Sequence, residues 1–213
     1  MRAFDLDEIL SKGLSQLSLA TPLDDKQQKT LIKYVELLNK WNKTYNLTAV
    51  RKPEEMVARH LLDSLSICPY LRGKRVLDVG TGAGLPGIPL AVVFPERQFT
   101  LLDSNNKKTR FVVQAVSELE LSNVDVVQSR VEDFESEQLF DTIISRAYSA
   151  IGEMVEQTSH LLAIDGVFLA MKGANPIAEI DVLPSSYVIE ESRVIKVPGL
   201  EEERHLLEIK TAT

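Results

Sequence analysis

The sequence lacks the features that mark several classes of protein. Cys68 is its only cysteine, so an internal disulfide is excluded and a cysteine-rich zinc site is not expected. We expect Cys68 to be a small apolar residue of the core beside Pro69. No apolar run reaches the roughly 18 residues that a membrane span needs. The first residues, MRAFDLDEIL, carry acids where a signal peptide would carry basic and then apolar residues. We therefore expect a cytoplasmic protein with no metal and no membrane segment.

The length and composition fit one α/β domain with a small additional lobe. The chain has 213 residues, of which 44% are hydrophobic and 26% charged, and this balance is that of a globular protein. The change in pattern described below divides it into a helical N-terminal lobe, residues 1–70, and a larger domain, residues 71–213.

The charge of the chain is negative but unevenly distributed. There are 24 Lys and Arg against 31 Asp and Glu, a net charge of -7 that by itself argues against a polyphosphate partner. Residues 1–75 hold 13 basic and 9 acidic residues (net +4), whereas residues 76–213 hold 11 and 22 (net −11). Such an asymmetry can mark a contact between one part and a polyanion, although a solvated helix face also accounts for it.

The spacing of apolar residues predicts helices first and alternating strands and helices later. Helical spacing covers residues 5–17, Thr21-Pro22 has the pattern of a helix N-cap, residues 45–48 interrupt the second helix, and Pro53 opens a third that stops near Pro69. Short apolar runs at 76–79, 98–103, 124–128, 141–145 and 166–172 predict strands. Helical stretches separate them at 88–94, 107–119 and 151–161, which predicts a parallel sheet covered on both faces. The closing runs, 187–197 and 205–210, have no helix between them and should pair antiparallel at one edge.

A glycine-rich loop follows the first predicted strand. The segment VLDVGTGAGLPG, residues 76–87, leads from a strand through glycines into a helix. Glycines serve where the backbone takes positive φ or where a ligand lies against the main chain, and the helix N-terminus offers free N–H groups. The segment lacks GKS or GKT, so a nucleoside-triphosphate loop is not expected.

Acidic residues around this loop narrow the range of ligands that it could bind. Asp103 ends the next strand, 23 residues after Gly80, where a carboxylate can accept hydrogen bonds from both hydroxyls of a ribose. Asp78 lies inside the first strand, where it suits a ligand with an ammonium or sulfonium group and disfavours a pyrophosphate.

The segment after the third strand offers a place for an adenine. We expect Val131 against the ring, the Glu132 amide at the ring edge and Asp133 toward the exocyclic amine. A surface turn that caps a helix is the alternative for the two acids.

Together with the loop, this set resembles the Rossmann-like S-adenosylmethionine-dependent methyltransferases over residues 70–213. That resemblance implies a mostly parallel seven-stranded sheet with an antiparallel last strand. An NAD enzyme is the alternative, but its glycines usually follow GxGxxG and Asp78 would not suit it.

The end of the fourth strand bears on which group is methylated. It reads Ser145-Arg146-Ala147-Tyr148-Ser149 and lacks the Asn/Asp-Pro-Pro-aromatic motif of the methyltransferases that act on amino groups, so methylation of an amino group is not supported. Methylation of carbon 5 of a pyrimidine needs a cysteine nucleophile, and it is not supported either, because Cys68 precedes the glycine-rich loop. Guanine N7 needs no general base, only alignment with the methyl group. Arg146 can donate a hydrogen bond to guanine O6, bind the methionine carboxylate of the cofactor or form a salt bridge. Tyr148 can stack on a base or pack in the core.

Several strings of residues together resemble one family. They are Trp41-Asn42-Lys43-x-Tyr45-Asn46-Leu47-Thr48, Arg59-His60-Leu61-Leu62-Asp63-Ser64, the loop from Asp78 to Pro89, Leu102-Asp103-Ser104, Ser145-Arg146-Ala147 and Glu203-Arg204-His205. They resemble the small-subunit (16S) ribosomal RNA guanine-N7 methyltransferases, also called glucose-inhibited division protein B, over nearly the whole chain.

This resemblance implies S-adenosylmethionine as cofactor, a guanine of 16S ribosomal RNA as acceptor, the bacterial cytosol, and no established general base. The cofactor contacts it implies are Gly80, Gly82, Leu85, Asp103, Val131, Glu132 and Arg146. The candidates for RNA contact are Arg59, His60, Lys172, Arg204 and His205. We expect a monomer acting on 16S rRNA, either naked or in an assembling small ribosomal subunit. A methyltransferase for a small molecule or protein, and a non-catalytic cofactor- or RNA-binding module, remain alternatives.

Overall fold

The computed structural model describes residues 5–146, 150–173 and 176–212. Its centre is a seven-stranded sheet in the order β3-β2-β1-β4-β5-β7-β6. The strands are β1 (Arg75–Val79), β2 (Gln98–Asp103), β3 (Val124–Gln128), β4 (Phe140–Arg146), β5 (Leu162–Lys172), β6 (Tyr187–Ile195) and β7 (Arg204–Thr211). The helices are α1 (Leu6–Leu14), α2 (Asp25–Tyr45), α3 (Pro53–Met56), α4 (Asp63–Leu65), α5 (Gly87–Val93), α6 (Asn106–Glu118), α7 (Ile151–Thr158) and α8 (Ile177–Ile180).

The pairing of the strands confirms the predicted sheet. Strands β1 to β5 are parallel, and β7 runs antiparallel to both β5 and β6. The order reverses between β1 and β4, because the chain first builds outward to β3 and then returns to the other side of β1. In such a sheet ligands bind outside the carboxyl ends of the strands near this reversal.

Helices cover both faces of the sheet. On one face α5 and α6 share a continuous apolar core with the N-terminal helices, to which Leu10, Leu38 and Phe111 contribute fully buried side chains. On the other face α7 packs on β4 and β5 through Ile151 and Met154. The N-terminal helices thus form an extra layer over the first face and reach the carboxyl edge of the sheet.

The start of α2 differs from the prediction at Thr21-Pro22, which was wrong. The helix begins at Asp25 after the N-cap Asp24, whose carboxylate accepts from the Gln27 amide N–H at 2.7 Å while the Gln27 side chain accepts from the Asp24 N–H at 3.0 Å. This reciprocal capping box satisfies two free donors of the helix end, which a threonine before proline does not. The predicted interruption at residues 45–48 is confirmed, since Asn46 ends α2 in the left-handed conformation.

The predicted third helix is continuous but not uniform. Pro53 opens α3 as expected, and a π-helical stretch, Val57–Leu62, then separates α3 from α4. A π-helical turn rotates the following side chains relative to an α-helix. Here it buries His60 and Asp63, both of which line the site described below. No helix within the described ranges is long and apolar enough to cross a lipid bilayer.

Gly13 provides a test of how α1 packs on this π-helical stretch. A Cβ atom at Gly13 would lie 2.2 Å from Cδ1 of Leu62. Alanine favours a helix by up to about 1 kcal/mol over glycine, whereas overpacking costs about 1–3 kcal/mol. We expect Gly13→Ala to lower the free energy of unfolding by about 1–2 kcal/mol, measured by urea denaturation. The exposed Ser11→Ala in the same helix is the control; a stabilised Gly13→Ala protein would contradict the contact.

Candidate active site

The glycine loop after β1 adopts conformations that require glycine. Gly80, Gly82 and Gly84 have φ of 68°, 62° and 86°, in the left-handed region that side chains disfavour. Asp78 anchors the loop: its Oδ2 accepts from the Thr81 hydroxyl at 2.7 Å and from the Gly87 N–H at 2.8 Å. The sequence alone did not reveal this anchoring role.

Asp78 is also an unusual carboxylate because of its surroundings. It is completely buried, and burial raises its pKa to about 6, against the opposing effect of the Thr81 and Gly87 hydrogen bonds. Its second oxygen, Oδ1, has no hydrogen-bond partner. A buried carboxylate of this kind is compatible with a nearby cationic ligand, because opposite charge favours its ionised form.

Asp103 connects the end of β2 with the loop. Its Oδ2 accepts from the Gly82 N–H at 2.9 Å and its Oδ1 from the Asn105 N–H at 2.8 Å. Each carboxylate oxygen can accept a further hydrogen bond. The orientation of Asp103 is therefore fixed by the backbone on both sides, while acceptor capacity remains for a ligand.

A cavity of about 260 Å³ lies at the carboxyl ends of β1, β2 and β3. It brings together four of the predicted cofactor residues: Gly80, Asp103, Val131 and Glu132. We call this the first cavity. A Cβ atom at Gly82 would find no atom nearer than 3.9 Å, so the space above that glycine is open. The bare loop, the oriented carboxylate and the apolar Val131 are the groups that an adenosine-containing ligand needs, and the residues present therefore fit the predicted cofactor.

Two other predicted residues occupy the surroundings of this cavity. Leu85 is buried in the core beneath the loop, and Asp133 is exposed on the short helical turn that begins at Val131. The loop is also held by α2, because the buried Tyr34 hydroxyl donates to the Ala83 carbonyl at 2.7 Å. Nothing in the local sequence indicated this contact between α2 and the loop.

A second cavity, of about 370 Å³, lies at the ends of β4 and β5 and the start of β7, against the π-helical stretch. It brings together Arg146 and all five candidates for RNA contact, which lie far apart in sequence. Apolar side chains, among them Val50, Ile67 and Met171, complete its wall. The side chain of Arg146 thus lines the second cavity. Tyr148, which was expected to stack or to pack, lies outside the described residues.

The cations of the second cavity are paired with acids of the same chain. Asp63, for which the sequence predicted no role, accepts from Arg146 Nη1 at Oδ2 and from Arg204 Nε at Oδ1, both at 3.1 Å. The other pairs are Arg59 with Glu202 at 2.7 Å and Lys172 with Glu179 at 2.8 Å. The four arginine and lysine side chains of the cavity thus share three carboxylates, which neutralise most of their positive charge, and the contact of the predicted residues with RNA stays a prediction.

The two histidines of the second cavity are buried as well. His60 is 6% exposed, and burial, assisted by the charge of Arg146, lowers its pKa to about 4, so it carries no charge at pH 7; its contact with RNA stays a prediction. Its Nε2 lies 2.9 Å from the Thr48 hydroxyl while Nδ1 has no partner. His205 is 7% exposed; its Nε2 lies 3.6 Å from a Glu203 oxygen and makes no hydrogen bond.

The opposite pKa changes of His60 and Asp78 predict opposing effects of acid on stability. The pKa of His60 falls from 6.5 to about 4 on folding, so its contribution to stability is lost as the pH drops from 6.5 to 4, by about 3 kcal/mol. The pKa of Asp78 rises from 3.8 to about 6, so acid adds stability of similar size between pH 6 and 4. We expect urea denaturation between pH 7 and 4.5 to show a shallower loss for His60→Gln and a steeper loss for Asp78→Asn than for the parent protein. Equal pH slopes for all three proteins would contradict these assignments.

The described residues contain no group of three or more His, Cys, Asp or Glu side chains arranged to hold a metal ion. Cys68 is buried, and burial raises the pKa of its thiol to about 12.

Comparisons with known proteins place the chain among characterised groups. Residues 27–207 match the family model described as GidB, rRNA small subunit methyltransferase G. The chain is 53% identical over 202 residues to the ribosomal RNA small subunit methyltransferase G of Stutzerimonas stutzeri (strain A1501), covering 94% of this chain and 93% of that protein. It is 53% identical over 188 residues to the protein of that name from Escherichia coli O1:K1 / APEC, covering 88% and 91%.

Solved structures with low sequence identity show the same fold. The glycopeptide N-methyltransferase MtfA complexed with S-adenosyl-L-methionine superposes with a TM-score of 0.61 at 10% identity, over 72% of this chain and 88% of that one. The N-methyltransferase NodS from Bradyrhizobium japonicum WM9 gives 0.52 at 17% identity, over 71% and 93%. At these identities the likeness concerns the Rossmann-like architecture alone, and it confirms the predicted fold class.

Proposed function

The chain belongs to the rRNA small subunit methyltransferase G family, and from this membership we propose that it methylates N7 of a guanine in 16S ribosomal RNA. It is an S-adenosylmethionine-dependent methyltransferase. The observation that carries the proposal is the convergence of Gly80, Asp103, Val131 and Glu132 on the first cavity, next to a second cavity that holds Arg146.

The first cavity has the groups to hold the cofactor. When bound, S-adenosylmethionine supplies an electrophilic methyl group on a sulfonium centre. Asp103 would accept hydrogen bonds from the ribose, Val131 would pack on the adenine, and the main chain at Gly80 and Gly82 would lie against the ligand. The buried charge of Asp78 favours a cationic ligand nearby.

The second cavity is our proposed site for the acceptor base. It lies at the carboxyl ends of β4 and β5, on the other side of the reversal between β1 and β4. Its apolar wall suits a flat aromatic ring, and it suits a base better than a phosphate because ion pairs within the chain neutralise most of its positive charge. Arg146 is oriented by Asp63 and by the Arg59 carbonyl, to which its Nη1 donates at 3.2 Å. Its remaining N–H groups can donate to guanine O6.

The chemistry asks little of the protein beyond alignment. The N7 lone pair of guanine is free at neutral pH, so no side chain has to remove a proton before the methyl group is transferred. A neutral His60 agrees with this requirement, because it adds no positive charge beside the acceptor. Holding the two reactants in line and excluding water are the tasks that the two cavities would perform.

Nucleoside analysis of ribosomal RNA tests the proposal. We expect 16S rRNA from cells that lack the gene to lose 7-methylguanosine at one position, and the purified protein to restore it with labelled S-adenosylmethionine. Label in a nucleoside methylated at another atom would refute the N7 assignment. No incorporation into ribosomal RNA, with retained cofactor binding, would favour the alternative of a methyltransferase for a small molecule or protein.

The state of the RNA substrate and of the enzyme follows from the same proposal. We propose that the protein acts in the cytoplasm as a monomer on an assembling small ribosomal subunit. The negative net charge of -7 favours the assembling subunit over naked RNA as the substrate, because bulk attraction to naked RNA is weak and a shaped, protein-bound RNA supplies more contacts. Comparing methylation of isolated small subunits with that of deproteinised 16S rRNA tests it; a preference for naked RNA would contradict it.

A further inference from the structure

The outer face of α2 carries a row of exposed lysines. These are Lys26, Lys29, Lys33, Lys40 and Lys43, which we call the lysine face. With Glu36 they are separated by three or four residues throughout, and such residues lie on the same side of a helix. The row extends for about 26 Å along the helix axis.

This arrangement works against the stability of the helix itself. Like charges three or four residues apart repel each other, as at Lys26, Lys29 and Lys33, and Lys26 in the first turn opposes the helix dipole. Glu36 interrupts the row, and Asp25 flanks its N-terminal end. Lys33 donates to the Glu118 carbonyl at the end of α6. In the described part of the chain, no carboxylate lies within ion-pair distance of the other four lysines. A partner with negative charge would relieve this repulsion.

The lysine face leads toward the second cavity. Near its start, the Gln27 side chain donates to the Val92 carbonyl at 3.1 Å, at the end of α5 away from the site. Near its end, the Asn42 side chain donates at 3.0 Å to the carbonyl of Val50, which lines the second cavity. The helix therefore runs from the far side of the domain to the margin of the proposed acceptor site.

From these observations we propose that the lysine face binds the phosphate backbone of the ribosomal RNA that delivers the target guanine. The inference rests on the proposed function. The cations of the second cavity are paired within the chain, whereas the lysine face carries a net positive charge and is open to solvent. An RNA backbone along α2 would neutralise it and would release counterions, which gives binding a measurable salt dependence.

A matched pair of double variants tests the proposal on small ribosomal subunits from cells lacking the gene. Lys29→Gln with Lys40→Gln removes two charges of the lysine face. Lys12→Gln with Lys74→Gln removes two exposed charges elsewhere. Methylation with labelled S-adenosylmethionine is measured between 50 and 200 mM KCl at constant magnesium. Each phosphate contact contributes about one to the slope of log affinity against log salt. We expect the first variant to lose about two from this slope and to raise KM for subunits roughly 30-fold at 0.1 M salt.

Further measurements separate docking from the chemistry and from folding. The lysine-face variant should retain its kcat and its affinity for S-adenosylmethionine, and replacement of Lys29 and Lys40 by arginine should restore the slope. The Lys12 and Lys74 control should match the parent protein. An unchanged slope and KM in the lysine-face variant would overturn the proposal while leaving the methyltransferase function intact. A defect on subunits that disappears on deproteinised 16S rRNA would assign the face to a ribosomal protein and would also overturn it. Absence of methylation by the parent protein would refute the proposed function itself.

Discussion

Replacing Asp103 by alanine is expected to weaken S-adenosylmethionine binding at least about 100-fold. Hydrogen bonds to a charged group contribute about 1.5–3 kcal/mol each, and the carboxylate is placed to accept from two ribose hydroxyls. The same substitution removes the acceptors for the Gly82 and Asn105 N–H groups, so the glycine loop also loses its attachment to β2. Isothermal titration calorimetry with S-adenosylmethionine gives the dissociation constant directly.

Two further variants show whether the loss arises from the ribose contacts. Asp103→Asn keeps the shape and one carbonyl oxygen, but its amide nitrogen faces one of the two backbone donors, so we expect an intermediate loss. Asp125→Ala removes an exposed acid from the neighbouring strand β3 and should bind as the parent protein does. Affinity within threefold of the parent for Asp103→Ala would remove Asp103 from the cofactor site.

Replacing Asp63 by alanine is expected to lower the free energy of unfolding by about 3–5 kcal/mol. Its carboxylate is 4% exposed and lies between Arg146 and Arg204, so its removal leaves two partly buried guanidinium groups without a counter-charge. These residues come from α4, β4 and β7, and the loss therefore affects the junction between the N-terminal helices and the sheet. Urea denaturation followed by circular dichroism measures the change.

The exposed pair of the same cavity provides the comparison for Asp63. Glu202→Gln breaks the pair with Arg59, in which both side chains are well exposed, and we expect no measurable change in stability. Asp63→Asn should fold more stably than Asp63→Ala because its carbonyl oxygen still accepts one hydrogen bond. It should also reduce methyl transfer more than cofactor affinity, since Arg146 loses its orientation. A stability of Asp63→Ala equal to that of Glu202→Gln would show that the two arginines find other partners.

The strands and the cofactor loop were predictable because their signals are local. The runs at residues 98–103 and 124–128 coincide with β2 and β3, whose apolar side chains pack under the helices, although β3 lies at the edge of the sheet and exposes Asp125 and Gln128. The glycines after β1 and the acid at the end of β2 lie at spacings that the crossover itself determines, so Gly80 and Asp103 meet at the carboxyl edge once the sheet forms.

Local patterns were less informative in the N-terminal helices. Thr21-Pro22 has the pattern of a helix start, yet the side chain of Gln27 both completes the capping box with Asp24 and reaches the end of α5, and this combination places the start at Asp25. The π-helical stretch likewise follows no periodicity that the sequence shows. Its extra residue per turn is stabilised by packing, including the close approach of Leu62 to Gly13.

The parallel sheet with its antiparallel edge and the glycine loop could thus be inferred from local patterns in the chain, and the family from strings of residues spread over nearly its whole length. The charge state and the partners of the cavity residues could not. Arg146 and Arg204 become counter-ions of Asp63, and the pKa of His60 falls to about 4, only when α4, β4 and β7 meet. The physical reason is that burial and the nearest charge determine what an ionisable group does, and both are set by residues more than eighty positions away in the chain.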